Sequence, residues 1–351
     1  MKKLIAMLLA LVMVVALVAC GSSDNGGNTS NGGNASAGTS ESTNKITKAE
    51  GCTIDTTGVD LSGKVIGYVT ITSTAPWGGR VGTELERMAT EAGAKVQVLD
   101  ANTEAPKVPE YCQQMIDAGV DALAVFGGDP VAMVDVAKAC ADAGIPLFLC
   151  GLDVAEEGRE FATACIGPDQ EKAIYDIGQR VIADNGKDAG ALVAVISGVP
   201  FLADYQQRDA GFARAMAETN YEVLETQYAM SSRTEAKKFA ENWLQAHGEN
   251  LNILMGMDDD LTMGAVQAIE EKGLTGKIKV YSFTGQNDAI QAVADGKLVM
   301  TVMNRADDIA AQTCVAMYQY FTTGSTEYYH YTPLTVIDST NVADYIGKGE
   351  F

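Results

Sequence analysis

Short apolar runs alternate along the chain with stretches whose apolar residues recur every three or four positions. The first unit spans residues 64–96. An apolar run over 65–71 leads through Pro76-Trp77-Gly78-Gly79, after which Val81, Leu85, Met88, Ala89 and Ala92 share one helical face that Gly93 closes. This pattern predicts strand, loop, helix, strand. It puts Trp77 in the loop leaving the carboxyl end of the first strand, where ligands dock in an open parallel sheet. Further strands are expected over 95–99, 122–126, 146–149, 161–166, 192–197, 221–228, 253–257, 279–283 and 299–303. Their runs are nearly continuous in apolar residues, as in strands covered on both faces. The helical stretches end at Gly93, Gly119, Gly144, Gly186, Gly273 and Gly296, since glycine enters the left-handed conformation without a Cβ penalty. Repeated alternation of this kind means an α/β fold with parallel sheets. About ten strands are many for one twisted open sheet, so two lobes of about five strands each are expected.

The N-terminus reads differently. Lys2-Lys3 precedes an apolar stretch over 4–19, shorter than the about 20 residues of a spanning helix, and it runs into Leu17-Val18-Ala19-Cys20-Gly21. That order resembles a bacterial lipobox, which implies a signal peptide over 1–19, lipidation of Cys20 and an anchor on the outer side of the cell membrane. An ordinary signal peptide with an incidental Cys20 is the alternative. The following residues are mostly Gly, Ser, Asn and Thr, too polar to bury a core, and residues 20–60 are assigned to the lipidated cysteine and a flexible linker.

Charge and motifs narrow the function. A net charge of −21 argues against nucleic acid or an anionic membrane surface as partner. No Cys-x-x-Cys pair is present, so the cysteines beyond Cys20 read as buried apolar groups, with a Cys150–Cys165 bridge left open. The chain has no nucleophile elbow, phosphate loop, zincin motif or dinucleotide fingerprint, and of its two histidines His247 reads as a helix-end cap and His330 as packing or surface. No enzyme activity, metal or cofactor is expected.

The candidate chemistry sits at strand ends. Trp77 offers a ring face to a sugar, or else packs in the core, whereas Trp243 shares an apolar helical face with Phe239 and Leu244. Arg208 presents a rigid fork suited to vicinal hydroxyls or a carboxylate, or else pairs with Asp204 at helical spacing. In Asp258-Asp259-Asp260 one carboxylate is expected to cap a helix and another to reach a cleft; a calcium loop is the weaker alternative. Asn304 can donate and accept at once, or serve as a turn residue.

Strand–x-Pro-aromatic, Arg208-Asp209-Ala210-Gly211-Phe212, Met257-Asp258-Asp259-Asp260 with Gly264-Ala265, Phe283-Thr284-Gly285 and Asp295-Gly296-Lys297-Leu298 occur in this order. Over roughly residues 62–338 the chain thereby resembles the ribose-binding-protein-like (type I periplasmic) solute receptors of ABC importers. The resemblance implies two Rossmann-like lobes, residues 61–167 plus 305–331 and 168–304 plus 332–351, joined by three crossovers near 166–169, 303–305 and 331–333. It implies a ligand site at Trp77, Asp153, Tyr205, Arg208, Asp258, Thr284 and Asn304, with a permease as partner. Ala75, Gly151-Leu152-Asp153, Thr284 and Ser231 depart from the ribose pattern, which points to another sugar or a polyol-like ligand. A receptor signalling to a kinase or chemoreceptor would look the same in sequence. A repressor with this core would carry a helix-turn-helix in place of the lipobox.

Overall fold

The computed structural model describes residues 45–349 other than Ala75; the leader and Cys20 lie outside the described residues. In chain order the elements are β1 Val65–Thr70, α1 Pro76–Glu91, β2 Lys95–Asp100, α2 Lys107–Asp117, β3 Ala122–Phe126, α3 Ala132–Ala143, β4 Leu147–Cys150 and β5 Ala164–Gly167. Next come α4 Gln170–Asn185, β6 Leu192–Ser197, α5 Ala203–Met216, β7 Glu222–Val223, β8 Gln227–Tyr228, α6 Arg233–His247, β9 Ile253–Gly256, α7 Asp259–Glu271, β10 Lys279–Tyr281 and α8 Asn287–Ala294. The chain closes with β11 Met300–Asn304, α9 Ala306–Thr323, β12 Tyr329–Tyr331 and β13 Leu334–Asp338.

Two sheets form. The first has the order β12-β5-β4-β3-β1-β2, the second β13-β11-β10-β9-β6-β7 with β8 also on β6. Each is apolar on both faces: α1 and α9 cover one side of the first sheet, α2 and α3 the other. On the second sheet α6, α7 and α8 lie on one face and α4 and α5 on the other. Two glycines let the helices approach. A Cβ on Gly211 would stand 2.2 Å from the Glu171 carbonyl oxygen in α4, and one on Gly264 2.2 Å from the Arg233 carbonyl oxygen in α6. The Arg-Asp-Ala-Gly-Phe and Gly-Ala motifs are thus packing devices as well as site markers.

The chain passes between the sheets three times, after β5, after β11 and between β12 and β13. The first and third crossings lie side by side, Thr332 N–H donating to the Gly167 carbonyl at 3.0 Å. Two expectations need correcting. The second sheet is mixed, because β13 runs antiparallel to β11, Asn304 opposite Leu334. Parallel strands of both sheets end at the gap between them, so a chain leaving β12 enters the second sheet from that gap and must run outward. Residues 45–60, expected as linker, pack on the first sheet's lobe: Ile46, Cys52 and Val59 are buried there. Thr53 N–H donates to Asp308 at 3.0 Å, and Arg305 donates to the Glu50 carbonyl at 2.9 Å. Average polarity hid three apolar anchors.

The Cys150–Cys165 question is settled by register. Both thiols are free, and in the β4–β5 ladder Cys165 faces Leu149 while Cys150 faces Ile166. Residues one step apart point to opposite sheet faces, so the two sulfurs lie on different sides. Burial pushes the Cys150 thiol up to about 11 and the Cys140 thiol up to about 12.

Candidate functional site

In each sheet the strand order reverses beside a central strand, β1 in the first and β6 in the second, and loops at the carboxyl ends there form a crevice. Between the two sets of strand ends lies a cavity of about 750 Å³, within the usual range for a small-molecule site. The first lobe lines it with Ile71 and Thr72 after β1, Trp77, Phe126 at the end of β3, and Leu152 after β4. The second lobe supplies Asp204, Tyr205, Arg208, Asp258, Asp260, Thr284, Asp288 and Asn304.

Trp77 lies in the first turn of α1, not in a loop as expected. The two glycines after it serve close approach instead of a turn. A Cβ on Gly78 would come within 2.4 Å of the Phe126 ring, and one on Gly79 within 2.2 Å of the Ser73 carbonyl oxygen. Trp77 is half-buried; its ring meets Phe126 at 5.7 Å, tilted by 55°, and its Nε1–H donates to the Asn304 carbonyl at 2.9 Å. The indole therefore reaches from the first lobe to the end of β11, where the second crossing begins.

Arg208 is 6% exposed and fixed on every side. Its Nε donates to Gln170 at 2.9 Å and one terminal nitrogen to the Met257 carbonyl at 3.0 Å, while the other lies 3.4 Å from Asp204. The guanidinium also sits over the rings of Tyr205 and Phe283, at 5.0 and 4.9 Å. The two sequence alternatives for Arg208 hold together: it pairs with Asp204 and lines the cavity.

The three aspartates divide their work differently from expectation. Asp258 both caps α7, accepting from Leu261 N–H at 2.9 Å, and lines the cavity, where the Tyr205 hydroxyl donates to it. Burial pushes its carboxyl up, against the opposing effect of the Tyr205 hydrogen bond. Asp259 is sealed beneath the site and accepts from Gln286 N–H at 2.7 Å, Thr301 Oγ1 at 2.8 Å and Ser282 Oγ. Burial pushes it up to about 7. Asp260 faces the cavity and meets Arg233 at 2.7 Å. No cluster of metal-binding side chains occurs among the described residues.

Thr284 holds a left-handed backbone at φ +120°, a strained conformation for a β-branched residue, and its Oγ1 accepts from Asp259 N–H at 3.4 Å. Asn304 is 1% exposed, and its Oδ1 is buried without a hydrogen-bond partner among the described residues. A buried, unsatisfied acceptor on a cavity wall calls for a donor from the ligand.

Asp153 is not brought to this cavity. It accepts from the hydroxyls of Tyr328 at 2.6 Å and Tyr329 at 3.0 Å and pairs with Arg159 at 2.9 Å, a network beside the first and third crossings. Its neighbour Leu152 takes the cavity wall instead, in a bend where Gly151 holds a left-handed backbone at φ +87°. Phe126 and Gln170 were missed. An aromatic ending an apolar run ahead of Gly127-Gly128 was the available signal for Phe126; Gln170 carried none.

Two α/β lobes with a cavity between their strand ends define a two-lobed binding protein. The chain belongs to the periplasmic binding protein domain family, which it matches over residues 66–325. It is 30% identical to the ribose import binding protein of Bacillus subtilis over 224 residues, 64% of this chain and 70% of that one. It is 28% identical to the fructose import binding protein of Bifidobacterium longum over 251 residues, covering 68% and 74% of the two chains. Among solved structures, a galactofuranose binding protein superposes with a TM-score of 0.74 at 21% identity, covering 82% of this chain and 98% of that one. A solute binding protein from Bacillus halodurans, solved with myo-inositol, gives 0.73 at 22% identity, covering 82% and 99%. The curated relatives are named as binding components of import, not as enzymes.

Proposed function

We propose that this chain is an extracytoplasmic solute-binding lipoprotein that captures a sugar or polyol-like ligand between its lobes and hands it to an ABC permease. Residues 61–167 plus 305–331 move as one lobe and 168–304 plus 332–351 as the other, about the three crossings. Support comes chiefly from a cavity whose walls come from both lobes, a ring wall opposite a polar wall. A ligand touching both walls stabilises the closed arrangement by the contacts it gains there alone. Trp77 and Phe126 take the apolar C–H face of a ring, while Arg208, Asp258, Thr284 and Asn304 hold its edge hydroxyls and Tyr205 steadies Asp258. Asp153 drops out of the site and holds the segment leading into the third crossing. The lipobox at Cys20 supports an acyl anchor, and the relatives named for ribose and fructose import support the ligand class and the permease.

A thermal-shift screen over pentoses, hexoses, polyols, nucleosides and small carboxylates tests this directly, because a ligand bound only by the folded state raises Tm. A sugar or polyol is expected to raise it. A carboxylate or nucleoside alone doing so would overturn the ligand class. Labelling with a radioactive fatty acid in the native cell, lost on Cys20→Ala, tests the anchor.

A further inference from the structure

The cavity wall carries buried acceptors without partners and an excess of acidic side chains. Asp204 Oδ1, Asp288 Oδ1 and Asn304 Oδ1 are buried oxygens without hydrogen-bond partners among the described residues. Several nearby donors are committed: Trp77 Nε1–H to the Asn304 carbonyl, the Tyr205 hydroxyl to Asp258, and Asn287 Nδ2 to the Gly349 carbonyl. Arg208 already serves Gln170, Met257 and Asp204. Charge leans the same way. Four carboxylates line the cavity, Asp204, Asp258, Asp260 and Asp288, against Arg208 on the wall and Arg233 behind Asp260 and Asp288. Asp204, Asp260 and Asp288 also sit in the first turns of α5, α7 and α8.

A hydroxyl donates one hydrogen bond and asks for others in return, whereas an ammonium donates three and accepts none. We propose that the ligand is an amine-bearing sugar or polyol, its ammonium held against the acidic wall of the second lobe, and that the site excludes acidic sugars. This rests on the solute-receptor function proposed above and names its ligand class.

The test uses matched series at pH 7, measured by thermal shift and then calorimetry: D-galactose, D-galactosamine and D-galacturonate; D-glucose, D-glucosamine and D-glucuronate; myo-inositol and a monoamino-inositol. In a series that binds, the amine is expected to bind at least tenfold tighter than its hydroxyl counterpart, and the acid at least tenfold weaker. Asp288→Asn should bring the amine-to-hydroxyl ratio towards one while Asp288→Glu keeps it; Asp204→Asn is the second variant, with Tm reporting folding. Hydroxyl members binding as tightly as amines, or an Asp288→Asn ratio unchanged, overturns the amine inference and leaves the receptor function standing. If no member of any series binds, the amine inference falls and the receptor function is decided by the wider screen above.

Discussion

The two lobes share one architecture, yet they face the cavity between them with opposite chemistry. The first lobe presents Ile71, Trp77, Phe126 and Leu152, and the second presents carboxylates, a guanidinium and an amide. The difference arises in the residues just past each strand. In the first lobe the strand ends run into apolar residues and glycines, Phe126-Gly127-Gly128 and Gly151-Leu152, which leave room for flat rings. In the second they run into helix starts, and helix starts favour aspartate. One scaffold repeated twice therefore yields a platform and a set of fixed polar contacts. Neither half alone holds a ring-shaped ligand by both its face and its edge.

Breaking the polar wall should cost most. Arg208→Ala is expected to lower ligand affinity at least tenfold, about 1.4 kcal/mol, by calorimetry. It should also destabilise the fold by about 3 kcal/mol in urea unfolding, because Asp204 and the Met257 carbonyl lose a buried partner. Trp77→Ala should lower affinity at least tenfold too, about 1.4 kcal/mol. Its cost in stability should be the smaller, since the indole is only half-buried. Phe126→Ala should weaken binding about fivefold, the scale of one aromatic contact.

Asp259 sharpens the contrast from beneath. Its carboxyl is raised to about 7, so between the ordinary carboxylate range and pH 7 the native state holds a proton that the unfolded chain releases. Stability contributed by this group is therefore present at low pH and lost as pH rises towards 7. Asp259→Asn is expected to remove that decline from the pH dependence of urea unfolding. Asp153→Asn marks the site's edge: it should loosen the Tyr328–Tyr329–Arg159 network, lowering Tm, and leave ligand affinity unchanged.

Much of the fold could be read from the chain, because buried parallel strands advertise themselves as apolar runs closed by glycine. The exceptions have physical causes. β12 and β13 carry His330, Thr335 and Asp338 among their apolar residues, and β12 lies at the edge of its sheet, so neither forms a clean run. Residues 221–228 read as one strand but form two short ones, β7 and β8, both on β6. Trp77-Gly78-Gly79 looked like a loop because glycine commonly serves turns, whereas here the helix needs bare backbone against Phe126 and Ser73. Among the candidate site residues, those just after a strand or opening a helix were legible. Asp153 lies off the cavity, which Leu152 lines, because the chain bends at 151–152 where a regular strand was expected to end.

The chain carries two tryptophans, and Trp243 packs against the core of the second lobe. In Trp243→Phe the remaining fluorescence comes from Trp77 on the cavity wall. Titration with a ligand found by thermal shift should change that emission saturably, with the Kd that calorimetry gives. A ligand that saturates calorimetrically and leaves Trp77 emission flat would contradict the placement of the site between the lobes.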